Sequence, residues 1–298
     1  MCGIVGLLLK NPALRPRLGE LMVPMLVGMT ERGPDSAGLA VFTDPAADSM
    51  YKLSLYAGSH AVNWDAFLSS VRAALPGEHE LRVVTNHAVL TTGAPPAMAE
   101  QWIEANAPEL TVLSVGRTID LYKEVGAPAD IAKRYDFAKL CGTHLVGHTR
   151  MATESAVTPA HAHPFTAGHD FCLVHNGSLS NPHLVRRKLE PFGIEFETDN
   201  DTEAACRYFE WRMREGDDLK TAVQRGFEEL DGFYTFLMGT DEELAIVRDA
   251  FACKPAIVAE TDDYVAIASE FRSLAHLPGV HKAKLFEPQP QEVYSWKV

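Results

Sequence analysis

Apolar residues run almost unbroken from Cys2 to Leu9 (CGIVGLLL), a density that predicts a short strand buried on both faces. The next dense stretch, RPRLGELMVPMLVGMTERG, repeats its apolar residues at helical spacing. It predicts a helix that Pro24 bends or shortens. Beyond the Gly33-Pro34 turn, SAGLAVFT reads as a second strand. Between about residues 60 and 138 the pattern weakens. Asp65 to Ala74 and Met98 to Ala105 look helical, Leu81 to Leu90 and Leu110 to Val115 look extended, and Gly and Pro interrupt them. No chemistry-bearing cluster stands out in this region.

From Gly142 the pattern sharpens. THLVGHTR alternates as a strand, and DFCLVHNG predicts another that ends on a turn at Asn176-Gly177. NPHLVRRKLEPFG predicts a helix closed by glycine, and DTEAACRYFEWRMREG a helix opened by an Asp/Thr cap with an acidic first turn and ended by Gly216. FYTFLMG, ELAIVRD, PAIVAE and YVAIASE then follow as short strands. Strands in antiparallel-looking runs, broken by two helical blocks, predict an α+β fold with helices outside layered sheets.

Composition narrows the function classes. The 298 residues are 46% hydrophobic, enough for one large domain or two small ones, and the net charge of −13 with no basic stripe opposes nucleic-acid binding. The longest apolar stretches fall short of the roughly 20 residues that span a bilayer, and no basic segment precedes the first, so neither a membrane span nor a secretory leader is expected. Cys2, Cys141, Cys172, Cys206 and Cys253 are odd in number, widely spaced and form no C-x-x-C pair. That disfavours a disulfide framework and a zinc ribbon and points to a reducing cytoplasm.

The cysteine behind Met1 has two readings. It is an incidental buried residue ahead of a strand, or, once Met1 is trimmed, a thiol and a free α-amine on one residue. The α-amine titrates near about 7.7–8.0, so close to neutral pH it serves as the thiol's own base. Five separated pieces bear on the choice: MCGIVG, ERGPDSAG, GHTRMAT, HNGSLSN and TDNDTE. Singly, a Gly-Pro-Asp or Asn-Gly sequence is an ordinary turn, Arg150 a surface ion-pair residue and Asp201 a helix cap. In this order and spacing the chain resembles the glutaminase domain of class II glutamine amidotransferases, in the N-terminal-nucleophile hydrolase group. The resemblance runs from Cys2 to about Leu274, and the tail RDAFACKPAIVAE with AIASEFRSL is similar to that family's closing strands, with Ala250 and Ala252 where proline and glycine are common.

The resemblance implies one domain over 2–298, a four-layer α/β/β/α sandwich of two antiparallel sheets, with about 60–138 as a longer insert than most members carry. It implies Cys2, Asn176 and Gly177 as catalytic residues, and Arg150, Asp201, Thr153, Arg32 and His163 on the substrate side, Arg32 and His163 as organisers of the site. The chemistry agrees. A tetrahedral intermediate needs fixed donors, which the Asn176 amide and the Gly177 N–H offer. Glutamine's far end carries a carboxylate and an ammonium, matched by the Arg150 fork and by Asp201 at a helix N-terminus. Asp199 is the alternative partner for the ammonium. Met151 and Glu154 depart from the aromatic and the histidine or small residue common in relatives, in a loop expected to close over glutamine. A metal site among His144, His148, His161, His163, His169 and His175 is disfavoured, because His144 and His148 on one strand stand about 13 Å apart.

The glutaminase motifs occupy almost the whole sequence and leave no P-loop or G-x-G-x-x-G turn, so a separate synthase subunit is expected to use the ammonia. Stand-alone chains of this kind resemble the amidotransferase subunit of glutamate-synthase-like assemblies, notably N-methylglutamate synthase. On that resemblance this chain carries no cofactor or metal, FMN and an iron–sulfur cluster sit in a partner, and the substrate is glutamine or a γ-glutamyl amide. A silent glutamine-sensing or scaffolding subunit, a glutaminase serving another acceptor, and an amidase for other amides remain the alternatives.

Overall fold

The computed structural model describes residues 2–151 and 158–298. The first apolar run forms β1 (Gly3–Leu9), buried along its whole length. A short 3-10 turn leads into α1 (Leu18–Val27), which keeps Pro24 inside, and β2 (Ser36–Phe42) follows. The middle of the chain comprises β3 (Tyr51–Tyr56), α2 (Trp64–Ala74), β4 (His79–Val84), β5 (His87–Thr92), α3 (Pro96–Asn106), β6 (Thr111–Gly116), β7 (Ile119–Val125) and α4 (Pro128–Arg134). Then come β8 (His144–Arg150), β9 (Phe165–Thr166), β10 (Cys172–Leu179), α5 (Pro182–Leu189), α6 (Asp201–Arg214) and α7 (Leu219–Glu229). The chain closes with β11 (Gly232–Gly239), β12 (Glu243–Arg248), β13 (Ile257–Glu260), β14 (Tyr264–Ala268), β15 (Lys284–Phe286) and β16 (Tyr294–Lys297).

These strands build three antiparallel sheets, ordered β15-β13-β14-β1-β8-β2-β7, β16-β12-β11-β10-β9 and β4-β5-β3-β6. The strand alternation explains the layering. Val5, Leu7 and Leu9 on one face of β1 join a core with Leu18, Met22, Met25 and Leu26 of α1. Ile4 and Leu8 on the other face meet Val174 of β10, Leu237 of β11 and Ile246 of β12. The far side of the second sheet packs on α5, α6 and α7 through Leu189, Phe209 and Val223. The result is the expected α/β/β/α sandwich. Because β1 is covered on both faces, truncating Leu7 to alanine costs about 2–5 kcal/mol.

Several sequence expectations shift. The extended stretch Leu81 to Leu90 is a hairpin, broken at Thr85-Asn86 where Thr85 has φ 54°; alternation continues across a two-residue turn and hides it. The third sheet spans residues 51–116 with its own core beneath α2 and α3, whereas β7 returns to the seven-stranded sheet beside β2. It is held to β7 by buried Asp120, which pairs with Lys52 of β3 and Arg82 of β4, each at 2.6 Å. Asn176-Gly177 is no turn: β10 continues to Leu179, with Gly177 opposite Tyr234. Helix α6 is capped by Asn200, whose side chain accepts from the Thr202 N–H, not by an Asp/Thr pair. That leaves the Asp201 carboxylate for other work.

Candidate active site

Cys2 immediately precedes β1 and is held by its backbone from the turn after α1 and from β10. Its carbonyl accepts from Arg32 Nε at 3.0 Å and from Asn176 Nδ2 at 3.1 Å. Arg32 Nη1 lies 2.8 Å from Glu270 Oε1. The hydrogen bond from Arg32, with the charge of Arg272 beside it, holds the Glu270 carboxyl below its ordinary range. Asn176 Nδ2 also reaches Ser269 Oγ at 3.2 Å, and that oxygen accepts from the Ile4 N–H at 3.0 Å. The nucleophile candidate is therefore fixed where β1, β10 and β14 meet.

A recess of about 410 Å³ opens there, lined by Cys2, Arg150, Met151, His163, Gly177 and Asp201 together with His161, His175 and Asp199. Arg150 is nine-tenths buried at the end of β8, its carbonyl accepting from the Asp35 N–H at 3.0 Å. Gly33 lets the preceding turn lie directly on the Thr149–Arg150 backbone, where a Cβ would collide. Gly177 has φ 142°, and a Cβ there would strike the Phe233 carbonyl. Only glycine meets both demands.

Asp201 Oδ2 accepts from the Leu179 N–H at 2.9 Å, and Oδ1 lies 3.7 Å from His175 Nδ1. Burial pushes its carboxyl up, but His175 and the N–H groups of Leu179 and Thr202 outweigh this and hold it below the ordinary value. Asp201 is thus anionic at neutral pH, facing the same recess as the Arg150 guanidinium. Asp199 also borders the recess but is exposed, with Oδ1 2.9 Å from His161 Nε2.

Sequence reasoning overlooked what supports this wall. Thr202 Oγ1 lies 2.9 Å from His163 Nε2, 3.1 Å from His175 Nδ1 and 3.4 Å from Asp201 Oδ1. His148 stacks on His163 with centroids 4.1 Å apart and donates from Nε2 to the His175 carbonyl at 3.1 Å. Burial pushes the His148 pKa down to about 3 and that of His163 well below its ordinary value. These rings are neutral struts. His148, His175 and Thr202 all sit inside the motifs GHTR, HNG and DTE, so proximity to the chemistry was the available signal.

Arg32 is placed as an organiser of the site, and two residues of the expected loop lie beyond reach. Arg32, grouped with the substrate side, holds the Cys2 backbone and does not line the recess. Thr153 and Glu154 fall outside the described residues. Of the histidines weighed for a metal site, His148, His163 and His175 gather behind the recess, whereas His144 lies 2.8 Å from both Thr143 Oγ1 and the Thr240 carbonyl, away from His148. Among the described residues no group of three His, Cys, Asp or Glu is placed to hold a metal ion, and no helix is long and apolar enough to cross a membrane.

Comparison with known proteins gives this geometry a context. The family model of a glutamine amidotransferase domain matches residues 148–276. The chain is 45% identical to the glutamine amidotransferase-like protein GlxB of Rhizobium meliloti, across 99% of this chain and 98% of that protein. It is 31% identical to a putative glutamine amidotransferase of Methanothermobacter thermautotrophicus, across 99% of each. In fold it is similar to the glutamine phosphoribosylpyrophosphate amidotransferase of B. subtilis, with a TM-score of 0.61 and 18% identity, covering 99% of this chain and 49% of that one.

Proposed function

The chain belongs to the class II glutamine amidotransferase family, and on that premise we propose that it hydrolyses the side-chain amide of glutamine through a thioester on Cys2. The observation that carries this reading is the shared recess: the Cys2 thiol and two opposite fixed charges, Arg150 and Asp201, border one cavity. Arg150 takes the substrate α-carboxylate and Asp201 its ammonium, which leaves the amide directed at Cys2. With Met1 removed, the Cys2 α-amine takes the thiol proton and the sulfur adds to the amide carbon. The oxyanion is met by the Asn176 amide, which exchanges its Ser269 contact, and by the Gly177 N–H. The protonated α-amine returns its proton to the leaving nitrogen, ammonia departs, and water then hydrolyses the thioester to glutamate. Thr153 belongs to the substrate side of this scheme, and Arg32 acts by holding the Cys2 carbonyl.

The finer reading is that the ammonia, or methylamine if the amide is γ-N-methylated, passes to a separate synthase subunit. That subunit is of the glutamate-synthase type, bearing FMN and an iron–sulfur cluster, as in N-methylglutamate synthase, and the complex works in the cytoplasm. The length of one relative supports the separate-subunit part of this reading. The match to GlxB covers 98% of that protein, against 21% of a fructose-6-phosphate aminotransferase of Xylella fastidiosa and 35% of an amidophosphoribosyltransferase of Archaeoglobus fulgidus.

The test combines intact mass with ammonia release. Active protein is expected to begin at Cys2, to release ammonia and glutamate in equal amounts, and to lose this on Cys2→Ala. Retained Met1 in active protein, or ammonia release by the Cys2→Ala variant, overturns the mechanism. Co-purification from the native source with a flavoprotein is the expected result for the partner; full-speed hydrolysis by the isolated chain rejects the subunit reading and leaves the glutaminase one.

A further inference from the structure

A second cavity, of about 350 Å³, lies where the third sheet meets the sandwich, bounded by β6, β9, α6 and residues 158–160. That size falls within the range of small-molecule sites. Lys123 of β7 is buried against it, only 6% exposed. Its Nζ donates to the Ala162 carbonyl at 3.1 Å and lies 5.1 Å from the centre of the Phe165 ring. Among the described residues no carboxylate oxygen comes within 4.0 Å of that ammonium, although every other charged group lining the cavity is paired. Arg207 Nη2 reaches Glu197 at 3.1 Å and Glu203 at 3.4 Å. The Glu203 carboxylate also takes the N–H groups of Glu197 and Thr198 at 2.8 Å each.

A buried ammonium with no carboxylate against it among the described residues is expensive to keep. Burial accordingly lowers its pKa to about 8, so it remains largely protonated at neutral pH. An ammonium offers three N–H donors, of which the Ala162 carbonyl occupies one. The cavity therefore presents a positive charge with no carboxylate partner among the described residues, beside the apolar side chains of Leu113 and Phe165.

We propose that this cavity is a binding site for a small organic monocarboxylate, its carboxylate on Lys123 Nζ and its apolar part against Phe165 and Leu113. A single anionic charge matches the one lining cation that has no carboxylate partner among the described residues. A dianion such as phosphate meets Glu197 and Glu203 close by, and a neutral ligand leaves Lys123 as it was. The cavity shares its wall with the Cys2 recess: Thr158 to Ala160 border one and His161 the other, while Ala162 precedes His163. Occupancy of one site therefore acts on a segment that the other site uses. The proposal does not depend on glutamine hydrolysis.

Calorimetric titration of the full chain with benzoate, hexanoate, benzamide and inorganic phosphate tests it. Benzoate and hexanoate are expected to bind at least about tenfold more tightly than benzamide or phosphate, a difference of about 1.4 kcal/mol. Lys123→Met is expected to weaken both carboxylates at least about tenfold, and Arg150→Met to leave them unchanged. The melting temperature of each variant reports whether it is folded. Equal binding of benzoate and benzamide overturns the proposal, as do tighter binding of phosphate and the absence of carboxylate binding at about 10 mM. Carboxylate binding lost in Arg150→Met but kept in Lys123→Met also overturns it, by placing the ligand beside Cys2.

Discussion

The side-chain amide of Asn176 lies 3.1 Å from the carbonyl oxygen of Cys2, so the group proposed to hold the oxyanion is tied to the backbone of the residue proposed to attack. Donor and nucleophile are set against each other before substrate arrives, which is the condition under which a fixed hydrogen bond lowers a barrier. Ser269 completes the link by accepting from both Asn176 Nδ2 and the Ile4 N–H.

Asn176→Ala is expected to lower kcat by about 10²–10³, the usual effect of removing one oxyanion donor. Ser269→Ala removes only the positioning contact, so its kcat falls less, while the orphaned Ile4 N–H costs about 1–3 kcal/mol of stability. Michaelis curves paired with urea unfolding separate the two; an unchanged kcat for the Asn176 variant refutes its role.

Arg150→Lys and Asp201→Asn are expected to raise KM for glutamine more than they lower kcat, because both act on the end of the substrate remote from the reacting carbon. A charge-assisted hydrogen bond worth about 1.5–3 kcal/mol corresponds to a rise of roughly 10- to 150-fold. Steady-state kinetics with glutamine decides this, and a fall in kcat at constant KM for either variant rejects the assignment.

The buried histidines set the acid limit of the fold. Burial pushes His148 to about 3 and His87 and His144 to about 4, whereas in the unfolded chain each titrates near about 6.5. Between those values the unfolded chain binds protons that the native one refuses. Stability is then level above about pH 7.5 and falls as pH drops through 6.5, by up to about 1.4 kcal/mol per pH unit for each ring. Asp201, held low, adds its loss only at more acid pH. Urea unfolding at pH 7.5, 6.5 and 5.5 measures the slope, which His148→Gln is expected to reduce; a flat profile contradicts the neutral-strut account.

Gly177→Ala is expected to destabilise the fold by several kcal/mol or prevent folding, since the new Cβ strikes the Phe233 carbonyl and φ 142° is foreign to alanine. Gly193 has φ 75° with nothing within 4 Å of the place a Cβ would take, so Gly193→Ala carries the backbone cost alone, about 1–2 kcal/mol. Thermal melts of the two variants test the contrast.

The sequence by itself determined β1, β2, β8, the helices α5 and α6, and the strands β11 to β14, because each is a run of apolar residues with one clear period and local stop signals. It also determined which residue types stand ready for amide chemistry, since Cys2, Asn176, Gly177, Arg150 and Asp201 fall inside short motifs. Tertiary structure decided the rest. Helix α7, strand β7 and the third sheet are weak in local pattern and gain their identity from partners far along the chain, as when Asp120 pairs with Lys52 and Arg82. Asn176-Gly177 has turn composition yet lies in a strand, because pairing with Thr235 and Tyr234 outweighs local preference. Arg32 on the Cys2 carbonyl, Thr202 on His163 and Lys123 on the Ala162 carbonyl are relations between residues about 30 to 40 positions apart. Only packing in three dimensions brings such groups within hydrogen-bond distance.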